Sequence, residues 1–197
     1  VKGGTGSGDV NQRYTVSVWE GLKAAGYEVT TGDWLNAYEE ACEKSEAEYT
    51  NDLEANIGFT EAEVTRADIA AASEGGVDTA IYVISRISGE SSDRTVTEGD
   101  YYLSETEQKN LERVADAFER VVVILNVGGV MDTGFFDEID GLDALLLMSQ
   151  AGMEGGTALA QVLDGTVTPS GKLTDTWPKE YLDYPSAEHF GANDGDT

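Results

Sequence analysis

The chain has 197 residues, of which 40% are hydrophobic, and this length and composition suit one domain with a real core. Its 38 acidic residues outnumber 12 basic ones, and the formal net charge of −26 creates a field that repels nucleic acid and anionic lipid. No apolar run approaches the ~20 residues of a transmembrane helix. From the charge and the absence of such a run, we expect neither a nucleic-acid nor a membrane partner.

One cysteine, Cys42, and one histidine, His189, limit the chemistry open to the chain. A lone cysteine cannot form an internal disulfide, and we interpret Cys42 as a small apolar residue on a helix. A lone histidine excludes a three-histidine metal site, and the neighbours of His189 do not indicate catalysis. We therefore expect no metal and no cofactor. No signal-peptide pattern is visible, so the compartment, cytoplasmic or secreted, stays open.

The first part of the chain reads as a glycine-rich loop followed by helices. The loop at residues 4–9 has its third glycine misplaced for a dinucleotide fingerprint, and no Gly-Lys-Ser/Thr follows it as in a P-loop. Helical spacing of apolar residues predicts a helix over residues 13–25, and residues 27–31 read as a short strand. A second helix opens at Asp33, and the Thr-x-x-Glu capping box of residues 60–63 predicts a third.

The rest of the chain alternates apolar strands with helices. The predicted elements are a buried strand from residue 81, an irregular stretch at 95–103, a helix opened by the capping box at 104–107, a buried strand at 121–127, a short helix or turn near Phe135, a strand at 144–149 and a helix at 157–164. This alternation predicts an α/β fold, a mostly parallel sheet with helices on both faces in a three-layer α/β/α sandwich. We assign residues 1–175 to this domain and residues 176–197 to an extended tail.

The best candidate for chemistry is Glu90, on the polar loop that directly follows the predicted strand from residue 81. In open α/β sheets, ligands bind outside the carboxyl ends of the strands, so a carboxylate there can reach a cleft. From position alone, Glu90 is also compatible with a solvated loop carboxylate or with half of a structural Glu–Arg pair. We read Asp93 and Arg94 as a pair that fixes the loop, and Glu154 as a structural carboxylate at a helix N-terminus.

Five motifs then occur in a fixed order and span nearly the whole chain. They are GTGSGDVN at residues 4–11, SGESSDR at 88–94, VILNVGG at 123–129, QAGMEGG at 150–156, and PSGKL followed by WPK within 169–179. Each is weak alone, but together they resemble the C-terminal α/β sandwich domain of glycoside hydrolase family 3, in its β-glucosidase branch. Ser91 departs from the pattern, since relatives usually have glycine there, and this difference would stiffen or reshape the loop.

The resemblance implies a division of labour between domains. A (β/α)8 barrel domain of the same parent protein would bind a β-linked glucoside or oligosaccharide and supply an aspartate nucleophile, which nothing in this chain resembles. Glu90 matches the general acid/base of many members, and Ser7 matches a serine that reaches the sugar in some. The tail at residues 176–197 would lead toward a following domain that this sequence does not contain.

The chemistry of a retaining glycosidase is compatible with these residues, because it needs one carboxyl group as nucleophile and a second as proton donor. The isolated chain would supply only one of the two, so we expect it to be inactive alone. One alternative is a non-catalytic sugar-binding or scaffolding α/β domain of a carbohydrate-active protein. A nucleotide-binding domain built on the glycine-rich loop is a further alternative, which the negative charge and the missing lysine disfavour.

Overall fold

The computed structural model describes residues 11–48, 61–86 and 95–187. The three strands in these ranges are β1 (Thr79–Arg86), β2 (Arg120–Val127) and β3 (Ala144–Leu147). The α-helices are α1 (Val18–Ala24), α2 (Gly32–Glu48), α3 (Arg66–Ala72), α4 (Glu105–Ala117), α5 (Phe135–Glu138) and α6 (Gly155–Leu163), with short 3-10 turns at Glu74–Gly76 and Tyr181–Asp183.

The strands form one parallel sheet in the order β1-β2-β3. Ile84 pairs with Leu125, and Leu125 pairs in turn with Leu147 on the third strand. Each parallel connection needs a crossover, which α4 provides between β1 and β2 and α5 provides between β2 and β3. The predicted α/β class with a parallel sheet is therefore confirmed.

The core is built around β2, the central strand of the described sheet. One face of β2 presents Val121, Val123, Leu125 and Val127, which belong to the same apolar cluster as Leu111 of α4. Ile124 points to the opposite face and is also completely buried. Both faces of β2 are thus covered, as predicted. Strand β1, which the sequence pattern predicts to be buried, is different: it lies at an edge of the described sheet, and only two of its eight residues are buried.

Helices α1 and α6 cross at two glycines with almost no space between their backbones. A Cβ on Gly21 would lie 2.1 Å from the carbonyl oxygen of Gly156, and a Cβ on Gly156 would lie 1.9 Å from that of Ser17. Any side chain at either position would push the helices apart. This contact explains Gly156, the second of the paired glycines that open α6 in the fourth motif.

Three local predictions in the first part of the chain are wrong in detail. The helix predicted from residue 13 begins at Val18, because Ser17 forms a capping box with Glu20. The third helix begins at Arg66 and not near residue 60, because Thr65 forms the capping box with Asp68. Residues 27–31 form no strand in the described structure; the hydroxyl of Thr30 instead donates to the carbonyl of Ala72 at 2.8 Å.

The later elements follow their predictions closely. Ser104 and Glu107 form the predicted capping box at the start of α4. The short helix near Phe135 is α5, and the helix predicted at residues 157–164 begins two residues earlier. After α6 the chain returns to the domain: Trp177 packs against the core, and the Tyr101 hydroxyl donates to the carbonyl of Pro178 at 3.3 Å. Over the described ranges, no helix has the length and apolar character needed to cross a membrane.

Candidate active site

The predicted site residues fall in segments that adjoin the described structure. Glu90, Asp93 and Arg94, together with Ser91, lie within residues 87–94, outside the described residues. Ser7 and His189 also lie outside the described residues. The structure describes the residues that flank these segments. They are the end of β1, the residues from 95 onward, and the residues that follow residue 10.

An ion pair between Arg86 and Glu107 fixes the carboxyl end of β1. Arg86 is the last residue of the strand, and Glu107 lies in the first turn of α4. The guanidinium group binds the carboxylate with both terminal nitrogens, Nη1 to Oε1 at 2.6 Å and Nη2 to Oε2 at 2.7 Å. Both side chains are buried, with relative exposures of 6% for Arg86 and 4% for Glu107. This fork-to-fork geometry is the strongest form of the Arg–carboxylate bond.

The remaining donors of Arg86 are also satisfied. Nε donates to the carbonyl of Asp100 at 2.9 Å, Nη1 to that of Ser85 at 2.8 Å, and Nη2 to that of Tyr102 at 3.3 Å. With the two bonds to Glu107, all five guanidinium N–H groups have acceptors among the described residues. A buried charge is tolerated only when it is paired and hydrogen-bonded in this way.

Glu107 serves the start of α4 as well as Arg86. Its Oε2 accepts the backbone N–H of Ser104 at 2.8 Å, and its own N–H donates to the Ser104 hydroxyl at 3.1 Å. The capping box therefore fixes the position of the carboxylate that binds Arg86. One carboxylate links the end of β1 to the beginning of α4.

Asp100 holds the other end of the 87–94 segment. Its Oδ2 accepts the backbone N–H of Thr95 at 2.6 Å and the hydroxyl of Thr95 at 2.8 Å. Its backbone carbonyl accepts Nε of Arg86 at 2.9 Å. The two residues that flank the segment, Arg86 and Thr95, are thus bonded to the same residue.

The carboxyl ends of β2 and β3 are joined by Asn126. This residue is 4% exposed, and its Nδ2 donates to the carbonyl of Ser149 at 2.6 Å. Ser149 has a φ of 55°, a left-handed conformation that is uncommon for a residue with a side chain. Strain of this kind concentrates near functional sites and is kept by surrounding bonds such as the one from Asn126. Next to it, Nε2 of Gln150 is buried and has no hydrogen-bond partner in the described structure.

The chain that follows the glycine-rich loop is attached to the loop after β3. The N–H of Val16 donates to the carbonyl of Met153 at 2.8 Å, and the N–H of Gly156 donates to the carbonyl of Val16 at 3.0 Å. Tyr14 adds a side-chain bond, from its hydroxyl to Glu154 at 2.5 Å. That bond, followed by one from the hydroxyl of Thr157, holds the pKa of the Glu154 carboxyl below its ordinary value. Glu154 therefore has the structural role predicted for it.

A half-buried carboxyl group, that of Glu61, lies close enough to the Arg86–Glu107 pair to interact with its charges. The carboxyl group of Glu61 accepts the hydroxyl of Tyr38 at 3.2 Å and the N–H of Ala62 at 3.1 Å. Burial, and after it the charge of Glu107, raise the pKa of the Glu61 carboxyl above its ordinary value. Asn110 closes this region by donating to the carbonyl of Ala62 at 2.8 Å.

A shallow groove opens beside this edge of the sheet, between the chain after β1 and the chain after β2. It has a volume of about 280 Å³ and combines aromatic, aliphatic and acidic side chains. Its lining residues are Glu98, Tyr102, Leu103, Gln108, Asp132, Phe135, Glu138 and Ile139. Within the described ranges, no group of three or more His, Cys, Asp or Glu residues is arranged to hold a metal ion.

The capping-box pattern of residues 104–107 includes Glu107, but no sequence pattern indicates its partner Arg86. The structure brings these two residues together across 21 positions. Asn126 was also missed, although a single amide within an otherwise apolar strand is a signal that sequence alone provides. The pairing of Arg86 with Glu107 has no such signal, because it depends on how α4 is placed against β1.

These features define a parallel α/β domain whose motif-bearing loops leave one edge of the sheet, where α/β proteins place their sites. The profile of the Glycosyl hydrolase family 3 C-terminal domain matches residues 1–196, and the chain belongs to this family. It is 37% identical to β-glucosidase A of Butyrivibrio fibrisolvens over 98% of the chain, and 36% identical to a β-glucosidase of Ruminococcus albus over 99% of the chain.

Solved structures give the same result. β-Glucosidase 3B from Thermotoga neapolitana in complex with glucose superposes with a TM-score of 0.81 at 37% identity, over 96% of this chain and 27% of that protein. A β-glucosidase from Paenibacillus barengoltzii gives a TM-score of 0.79 at 36% identity, over 96% and 21%. The chain spans only 26% and 20% of the lengths of the Butyrivibrio and Ruminococcus enzymes. In all four relatives it corresponds to about a quarter of the protein or less.

Proposed function

We propose that this chain is the C-terminal domain of a retaining, exo-acting β-glucosidase-like hydrolase and contributes Glu90 as its general acid/base. The observation that carries the proposal is the match to named β-glucosidases over nearly the whole chain, together with the presence of Ser-Gly-Glu at residues 88–90. The nucleophile, an aspartate, would come from a (β/α)8 barrel domain of the same protein. The substrate class is a β-linked glucoside or oligosaccharide.

The described residues on either side of Glu90 support this role. Glu90 lies four residues after Arg86, the last residue of β1, and five residues before Thr95. Arg86 and Thr95 are both held by bonds to Asp100. A carboxylate on a short segment with fixed ends, at the carboxyl edge of a parallel sheet, is well placed to meet a substrate held by a facing domain.

The reaction proceeds in two steps. In the first, the barrel aspartate attacks the anomeric carbon while Glu90, in its protonated form, donates its proton to the glycosidic oxygen, so that the C–O bond breaks and the aglycone leaves. In the second, the Glu90 carboxylate removes a proton from a water molecule, which attacks the anomeric carbon and releases the sugar and the aspartate. The two carboxyl groups would stand about 5–5.5 Å apart, as retention of configuration requires.

The other predicted residues take supporting roles in this proposal. Ser7, on the glycine-rich loop, contacts the sugar. The chain that follows this loop is bonded to residues 153–156 through Val16, which places it beside the loop after β3 at the same edge of the sheet. Asp93 and Arg94 stabilise the loop that carries Glu90. The domain boundary proposed near residue 175 and the following domain remain predictions of the same kind.

The test is the dependence of turnover on the leaving group in the full-length protein that contains this chain. Glu90→Gln should lower kcat by about 10²–10⁴-fold on alkyl and phenyl β-glucosides, whose leaving groups need a proton. On 2,4-dinitrophenyl β-glucoside, whose leaving group departs without one, the loss should be under about tenfold in the glycosylation step. Glu119→Gln is the matched control, because Glu119 is a 75% exposed carboxylate directly before β2, at the amino end of the sheet, and it should leave both rates unchanged.

A different outcome would favour the alternative function. If Glu90→Ala turns over all glucosides normally, the domain is a non-catalytic sugar-binding or scaffolding unit and the barrel supplies both carboxyl groups. If Glu90→Gln lowers the turnover of all glucosides by the same factor, Glu90 affects binding or folding and not proton transfer.

A further inference from the structure

We propose that Glu107 and Asp100, acting through Arg86 and Thr95, are positioning residues for the acid/base of this enzyme. The inference rests on the proposed role of Glu90. It concerns residues that do not touch the reacting atoms but fix both ends of the segment in which Glu90 lies. The role predicted for them is to set where the proton donor stands.

The first anchor of the segment is Arg86, whose hydrogen-bond donors are all satisfied. Arg86 uses all five N–H donors, two of them on the Glu107 carboxylate at 2.6 and 2.7 Å and three on backbone carbonyls. Glu107 is itself held by the capping box with Ser104. The strand end is therefore attached to the rigid first turn of α4 and to the chain at residues 100–102, which leaves Arg86 no free rotation about its side-chain bonds.

The second anchor meets the first at Asp100. The Asp100 carbonyl accepts Nε of Arg86 at 2.9 Å, while its carboxylate accepts the N–H of Thr95 at 2.6 Å and the Thr95 hydroxyl at 2.8 Å. The eight residues from 87 to 94 thus leave and return to residues bonded to one aspartate. Fixing both ends of a short segment reduces the number of conformations that it can sample.

The energetics favour positioning over plain stability as the reason for this arrangement. A buried ion pair pays a desolvation cost for both charges, and well-packed apolar residues of the same volume are often as stable or more stable. The charged pair adds a fixed geometry, because the guanidinium fork allows only one orientation of the groups that bind it. By contrast, the Arg120–Asp78 pair at the opposite edge of the same two strands is exposed at 54% and 48%.

Catalysis is sensitive to the position and orientation of the catalytic groups. A displacement of about 1 Å in a catalytic group can lower the rate about 10²-fold without disturbing the fold. Loss of either anchor should therefore lower kcat/KM, which reports the glycosylation step, on substrates that need protonation, and should change it little on substrates that do not need it.

The experiment compares Glu107→Gln, Asp100→Ala, Asp78→Ala and Glu90→Gln in the full-length enzyme. Asp78→Ala is the matched control, because it also removes a carboxylate that binds an arginine and the hydroxyl of Thr79, but at the amino ends of β1 and β2. We expect Glu107→Gln and Asp100→Ala to lower kcat/KM on phenyl β-glucoside about 10- to 100-fold and kcat/KM on 2,4-dinitrophenyl β-glucoside less than about threefold. Asp78→Ala should change neither.

Asp100→Ala keeps the test decisive if Glu107→Gln does not fold, because the two bonds to Thr95 lie at the surface. Equal losses on both substrates in proportion to the folded fraction, or no loss in Asp100→Ala, would overturn the inference while leaving Glu90 as the acid/base. If Glu90→Gln itself shows no dependence on the leaving group, the proposed function fails and the positioning role fails with it.

Discussion

The Arg86–Glu107 pair gives the sharpest stability prediction. Replacing Arg86 with methionine keeps most of the buried volume but leaves the Glu107 carboxylate, 4% exposed, with the N–H of Ser104 as its remaining described donor. It also removes the donors that satisfied the carbonyls of Ser85, Asp100 and Tyr102. Removing one partner of a buried ion pair costs about 3–5 kcal/mol. Since domains of this size have about 5–15 kcal/mol of total stability, this is a large fraction.

The matched comparison is Arg113→Met. Arg113 also forms an ion pair, with Glu63 at 2.6 Å, and donates to the carbonyl of Val64 at 2.8 Å, but the two side chains are 36% and 62% exposed. An exposed pair contributes about 0.2–1 kcal/mol. Urea unfolding of the chain, followed by tryptophan fluorescence, measures both variants; of the three tryptophans, Trp177 packs against the core. The reasoning is refuted if Arg86→Met costs no more than Arg113→Met.

A double substitution separates the two causes of the loss. In Arg86→Met with Glu107→Met no charge is left buried, and apolar replacement of both partners of a buried pair is often nearly neutral. We therefore expect the double variant to be more stable than Arg86→Met alone, even though it also loses the capping bond to Ser104. A double variant that adds the two single losses would show that packing, and not the unpaired charge, dominates.

Two further predictions concern other parts of the fold. Gly156→Ala places a Cβ 1.9 Å from the carbonyl oxygen of Ser17 and should lower the free energy of unfolding in urea by about 1–3 kcal/mol or more. Gly171→Ala, with no atom within 4 Å of the added Cβ, should change it by no more than about 0.5 kcal/mol. Equal effects of the two substitutions would contradict the α1–α6 contact. The pKa of Glu61 is raised from 4.5 by burial first, so its contribution to stability is full below that value and is lost as pH rises through the folded-state pKa. Glu61→Gln should therefore gain stability relative to the parent chain as the pH rises above 4.5, and a pH-independent difference in urea midpoint would contradict this.

Most of the fold could be predicted because its signals are local. The capping box of Ser104 and Glu107 starts α4, and the apolar run of β2 is long enough to be recognised as a strand covered on both faces. The errors also have local causes. Residues 27–31 have the composition of a strand, but a strand needs a partner, and the hydroxyl of Thr30 bonds to Ala72 instead.

The candidate site was predictable to a different degree. Resemblance selected Glu90 and Ser7, and those roles stay predictions, because both residues lie outside the described part of the chain. The frame around Glu90 could not be predicted. Arg86 and Glu107 are 21 residues apart, and each has an ordinary local explanation, as a strand end and as a helix cap. Only the placement of α4 against β1 shows that they form one anchor.

The central claim, that Glu90 supplies the proton, is tested most directly by azide rescue of Glu90→Ala in the full-length enzyme. With the acid/base absent, water attacks the glycosyl-enzyme slowly, whereas azide needs no general base and should restore turnover of 2,4-dinitrophenyl β-glucoside. We predict that the product is β-glucosyl azide, with retained configuration, identified by NMR, and that the control Glu119→Ala produces none. Turnover that does not respond to azide would contradict the assignment of Glu90 as the acid/base.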